Sequence, residues 1–266
     1  MYKKNKYTKI DWDMLRSTPF DSLLAKKAAP RITDHNAENQ KATAAHEAIH
    51  ITFAVKHGSP ILSVCIGTST KLKKIYGNIV KGSTIDLIHS GTIGAIESYL
   101  AAGIFETLLD PNPGNFIANV EKENAIKSIT IYRGNNLGDV SLRFFSDVDM
   151  VENFSERLLD ELKINWLIIE LVAKALLYYR DIDGYFPMNL LGQLSQFIRN
   201  ELIKLKSHPH PSDQFMKCIE QLSPFVVKQS ALEKKQHDKW MRENDLDTIL
   251  SIIKSKRCKT SNLIGS

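Results

Sequence analysis

Ala42-Thr43-Ala44-Ala45-His46-Glu47-Ala48-Ile49-His50 is the stretch on which the reading of the chain turns. It contains His-Glu-x-x-His. Two histidines four apart on a helix stand one turn above the other on one face. From there both can bind one zinc ion through imidazole nitrogen at about 2 Å. Glu47 sits one step around the cylinder, beside the metal position, where a carboxylate can take a proton from a zinc-bound water attacking a peptide carbonyl. The surroundings predict a helix over about 37–57. Asn36 is the expected N-cap, Glu38 suits the positive first turn, and no Pro or Gly interrupts before Gly58 and Pro60. Ala44, Ala45, Ala48 and Ile49 give the motif the small and apolar neighbours of a buried helix.

Catalytic zinc takes three protein ligands and leaves one position open. His57 shares the face of His46 and His50, but seven residues of rise place it about 10 Å beyond His50, too far for the same ion. The longer His-Glu-x-x-His-x-x-Gly-x-x-His pattern fails, because Phe53 and Lys56 stand where Gly and His are required. A Glu some 20 residues downstream is also excluded, since no Asp or Glu lies between Glu47 and Asp86. The third ligand must come from a later element, with Glu97, Glu106, Glu121 and Glu123 as candidates.

After the motif come Ala101-Ala102-Gly103-Ile104-Phe105-Glu106-Thr107-Leu108-Leu109 and Glu121-Lys122-Glu123-Asn124-Ala125. Together with His46-Glu47-Ala48-Ile49-His50 these resemble the peptidase domain of FtsH-type AAA zinc proteases, over about residues 36–205. The resemblance implies a mainly α (α+β), zincin-like helical domain with a small β-sheet beside the metal helix. It implies Glu121 as the third zinc ligand and Glu106 as a carboxylate orienting a ligand histidine from behind. It also implies a sheet edge able to hold an extended substrate. The chain departs from the family at Ile49, where the motif has Gly, and at Glu121, where the family has Asp.

The 266 residues divide by pattern into a basic lead (1–35), the peptidase-like domain (36–205) and a basic helical extension (206–266). The net charge of +5 is concentrated at the ends, which are open to an acidic partner recognised by the C-terminal region. No nucleic-acid motif is present. Cys65, Cys218 and Cys258 are too scattered for a disulfide framework. No apolar run follows the basic start, and Glu170 and Lys174 interrupt the most apolar stretch, so the expected setting is cytoplasmic and without a transmembrane segment.

Along the chain, the pattern predicts a short helix near 11–27, a strand at 61–66 paired with 75–80, and a helix or helix pair over 84–110. Asp110-Pro111 then breaks the chain. Helices are expected at about 117–133, 150–181 and 188–205, with a loop at 133–138. Trp166, Tyr178 and Tyr179 are read as core or groove lining. Ser207–Pro211 is read as a plain linker, 212–258 as two or three short helices, and the tail beyond Lys259 as disordered. No Gly-x-x-x-x-Gly-Lys-Ser/Thr occurs, so the expected substrate is a peptide, an exposed loop or an unfolded segment, unless a partner supplies an ATPase motor. The expected function is a zinc metalloendopeptidase. The alternative is a catalytically inactive, protease-like binding or regulatory module.

Overall fold

Asp11 opens the first helix of the computed structural model, its carboxylate accepting the Met14 amide at 2.9 Å. That helix, α1 (Trp12–Ser17), ends where Thr18 is held extended ahead of Pro19, and α2 (Phe20–Ala25) begins beyond it. The single helix expected over 11–27 is therefore two, because a residue preceding proline is disfavoured in the helical region. The structure describes residues 7–25, 37–66, 82–86, 91–135, 147–181, 184–207 and 211–243. Asn36, the 75–80 strand, the His208–His210 loop and the tail beyond Lys259 lie outside them.

The helix that carries the His-Glu-x-x-His stretch, α3 (Ala37–Lys56), is buried almost all round from Ala42 to Val55. Gly58, at φ +77°, ends it: Gly58 N donates to Val55 O and Ser59 N to Ala54 O, a reversal that a side chain would strain. The strand β1 (Ile61–Ile66) follows and pairs antiparallel with β2 (Gly82–Asp86), Val64 opposite Thr84 and Cys65 opposite Ser83. On its other side β1 bonds to a returning segment, Ile66 N to Gly184 O at 2.8 Å and Phe186 N to Val64 O at 2.9 Å. Among the described residues β1 is thus flanked on both sides, and β2 lies at an edge.

The described partner of β1 includes residues 84–86, so the next helix starts later than the sequence predicts. This helix, α4 (Ile93–Leu109), is opened by Thr92, whose hydroxyl accepts from Ala95 N at 3.3 Å. Its Gly and Ala residues let it lie close between α3 and α5 (Phe116–Asn135). No breaker stands in α5 before Gly134, and the helix continues to Asn135, into the loop expected over 133–138, whose residues 136–138 lie outside the described ones. The long α6 (Asp147–Tyr179) and α7 (Met188–Ser207) complete the wall against α3 and β1. Trp166 and Tyr179 are buried, as a core reading requires, and Tyr178 is half-buried. The mainly helical architecture is thus what the chain adopts.

In place of two or three short helices after residue 212, the described residues form one, α8 (Gln214–Glu243), with Pro224 inside it. A mid-helix proline costs about 3 kcal/mol. Phe215, Ile219, Leu222 and Val226 form a buried stripe at helical spacing that offsets this cost, and Phe215 packs edge-on to Trp166 with ring centroids 5.0 Å apart. The chain divides into one unit of residues 1–226 and a second of 227–266. Residues 7–25 and the first half of α8 belong to the first unit. Ile10, Leu15 and Leu23 are buried, and the Asp11 amide donates to Tyr179 Oη at 2.7 Å. No described helix is long and apolar enough to cross a membrane.

Candidate metal centre

The face of α3 that carries His46 and His50 looks toward α4 and α5. His46 Nε2 and His50 Nε2 lie 3.2 Å apart, and each is 3.6 Å from Glu121 Oε1 of α5. Two donors on a tetrahedral zinc, each about 2.0–2.1 Å from it, are about 3.3 Å apart. The three side chains are therefore spaced as ligands of one ion would be. All three are largely buried, and Glu121 Oε2 has no hydrogen-bond partner. A buried carboxylate oxygen without a donor is costly unless a cation meets it.

The outer nitrogens of both rings are engaged. His46 Nδ1 donates to Glu106 Oε1 at 2.9 Å, and His50 Nδ1 lies 2.9 Å from Ser98 Oγ. With Nδ1 protonated in both rings, both Nε2 lone pairs face each other and Glu121. Two lone pairs cannot bond to each other, so a cation must lie between them, either a proton on one Nε2 or a metal ion shared by all three side chains. Burial by itself would lower the His46 pKa, but the hydrogen bonds and charges of Glu106 and Glu121 raise it well above the usual imidazole value. Burial would likewise raise Glu121, yet the charges of His50 and His46 and their hydrogen bonds hold it far below the ordinary carboxylate range. The pocket favours a carboxylate anion facing a cation.

Glu47, one step around α3 from the histidines, reaches the sheet. Thr84 Oγ1 of β2 donates to Glu47 Oε2 at 2.6 Å. Burial raises the Glu47 pKa, and the positive charge on His46 and His50 and the Thr84 hydrogen bond only partly oppose this. A buried carboxylate with a raised pKa and one oxygen fixed is suited to accept and return a proton.

The structure brings His46, His50 and Glu121 together, puts Glu47 beside them and places Glu106 behind His46. Glu106 meets the ring on the side away from the cluster. Glu123 is exposed. Glu97 lies in a separate cluster, where Lys56 Nζ donates to it at 2.8 Å, His57 Nε2 lies at 2.7 Å and the Arg157 guanidinium also donates. Ile49, at the position that is Gly in the FtsH-type motif, is fully buried. Sequence reasoning missed Ser98 and Thr84. Asking which residue of the Glu106 helix could reach the second nitrogen of His50 would have pointed to the polar Ser98, eight residues earlier. Thr84 carried no comparable signal, because its role depends on strand register.

Gly103 of α4 explains how Glu121 comes so near: a Cβ there would lie 3.3 Å from Glu121 Cβ. Compared with models of protein families, with curated proteins and with solved structures, the chain matches none.

Proposed function

We propose that the chain is a zinc-dependent endopeptidase with a zincin-like, FtsH-type peptidase domain, in which His46, His50 and Glu121 hold the metal. The observation that carries this reading is the convergence of His46 Nε2, His50 Nε2 and Glu121 Oε1 at ligand spacing beside a buried Glu47. When bound, zinc supplies Lewis acidity that polarises a peptide carbonyl and makes water more acidic. Glu47 takes the proton of the attacking water on its carboxylate and passes it to the leaving amine. Thr84 holds one Glu47 oxygen, leaving the other to face the reaction. Glu106 and Ser98 fix the two imidazoles, so neither ring can turn its Nε2 away. The edge of β2 offers main-chain groups that can hold a substrate in extended form.

The test is metal content and cleavage of an unfolded protein substrate after purification without chelator. Wild type and Glu47→Gln should each carry about one zinc, while Glu121→Ala loses it. Glu47→Gln should cut about 10²–10⁴-fold more slowly. A folded wild type free of zinc, or a fully active Glu47→Gln, overturns the reading.

A further inference from the structure

Among the described residues, two side chains bury polar atoms that no group satisfies: Glu121, which belongs to the metal centre, and Arg180. Arg180 follows the last residue of α6 and is 5 % exposed. Its Nη2 donates to Gln40 Oε1 of α3 at 2.7 Å. Nε and Nη1, which carry three of the five guanidinium N–H groups, have no partner. Its acidic neighbour in sequence, Asp181, accepts the Tyr185 amide on Oδ1 at 2.9 Å. Burial lowers the Arg180 pKa, and the Cys65 thiol raises it in part. A guanidinium nevertheless stays protonated across the neutral range, so the charge cannot be shed. A buried, unpaired cation is costly, and its flat fork of donors fits a carboxylate.

The position relates this charge to the metal centre. Gln40 lies seven residues before Glu47, two turns along the same face of α3 and about 10 Å away. An extended peptide covers that distance in about three residues. We infer that Arg180 is a recognition site for a carboxylate of the peptide substrate, an Asp or Glu side chain or a free C-terminus, about three residues from the bond cut. One carboxylate balances one guanidinium, whereas a phosphate would bury an excess negative charge. The identification of the ligand as substrate rests on the peptidase reading; the carboxylate site itself does not.

The experiment therefore reads binding, with metal chelated so that nothing is turned over. Acetyl-Ala-Glu-Ala-amide, acetyl-Ala-Ala-Ala with a free C-terminus, the neutral acetyl-Ala-Gln-Ala-amide and inorganic phosphate are titrated into the full chain by calorimetry at constant ionic strength. One or both carboxylate peptides should bind at least about tenfold tighter than the neutral one, and which of them does so identifies the source. Arg180→Met should remove that preference and raise the Tm of the free protein, since it removes a buried charge without a partner. Arg180→Gln should also lose the preference and serves if the methionine variant does not fold. Equal binding of all three peptides to wild type, a preference that survives both substitutions, or phosphate as the sole ligand lost with Arg180 overturns the proposal. So does a lower Tm in Arg180→Met, the signature of a guanidinium paired within the fold. Binding as expected by a zinc-loaded chain that cleaves nothing would sink the peptidase reading and leave the carboxylate site standing.

Discussion

Each histidine of the motif has two ring nitrogens, and in this protein the outer one of each is already engaged. Ser98 and Glu106 touch no ligand position, yet they decide where both Nε2 atoms point. Ser98→Ala and Glu106→Ala should each weaken zinc about 10–100-fold in competition with a chromophoric chelator, with His46, His50 and Glu121 intact. An unchanged affinity in both would mean that packing alone sets the rings. How far the site could be read from sequence follows the same division. The two histidines and Glu47 are legible because their relation is local, fixed by 3.6 residues per turn. Glu121 and Glu106 were reached through a resemblance. Ser98 and Thr84 were not reached, because a contact across 48 or 37 residues leaves no periodic trace in the chain.

At the scale of elements, the site depends on how closely α4 lets α5 approach. Gly103→Ala would press a methyl group toward the Glu121 Cβ, 3.3 Å away. Better helix propensity, worth about 1 kcal/mol, should offset most of the crowding in the metal-free chain. The expected outcome is a Tm within a few degrees of wild type but severalfold weaker zinc, because the strain falls on the ligand. A second junction ties α3, α4 and α6 through Glu97. Burial would raise its pKa, but the hydrogen bonds of His57 and Lys56 and their charges hold it down at about 2, from an ordinary 4.5. A carboxylate whose pKa is depressed on folding stabilises the fold above its unfolded pKa. That stability is lost as the pH falls through the folded value, so the loss spans about pH 4.5 to 2. Allowing for partners that are partly solvated, the effect is on the order of 2 kcal/mol. Glu97→Gln should flatten this part of a urea-unfolding series against pH, and an unchanged slope would remove Glu97 from the account. The elements themselves were legible wherever burial and period agree, as in α3 and β1. The sequence misled at Pro224, where a helix breaker is overruled by the stripe from Phe215 to Val226. It misled again at Thr18-Pro19, where an apolar pattern continues across a peptide the helix cannot cross.

For the molecule as a whole, the boundary matters to anyone shortening the chain. The composition shift near residue 206 invites a cut there, but Phe215, Ile219 and Leu222 lie in the core beyond it. Removing 206–266 should cost several kcal/mol and yield a poorly folded protein. Removing 227–266 should leave Tm and zinc content close to those of the full chain, as measured by thermal melts and metal analysis. If the two truncations behaved alike, the division at 226 would be wrong. The arrangement of the ligands also imposes an order in time. Glu121 is made 71 residues after His50, and α4, which braces both imidazoles, is made between them. At translation rates of about 5–20 residues per second, the histidines precede their third ligand by roughly 4–14 s. On the proposed reading, a nascent chain passes through a stage when it offers zinc only two nitrogens, and full capture waits until the helix that carries Glu121 has left the ribosome.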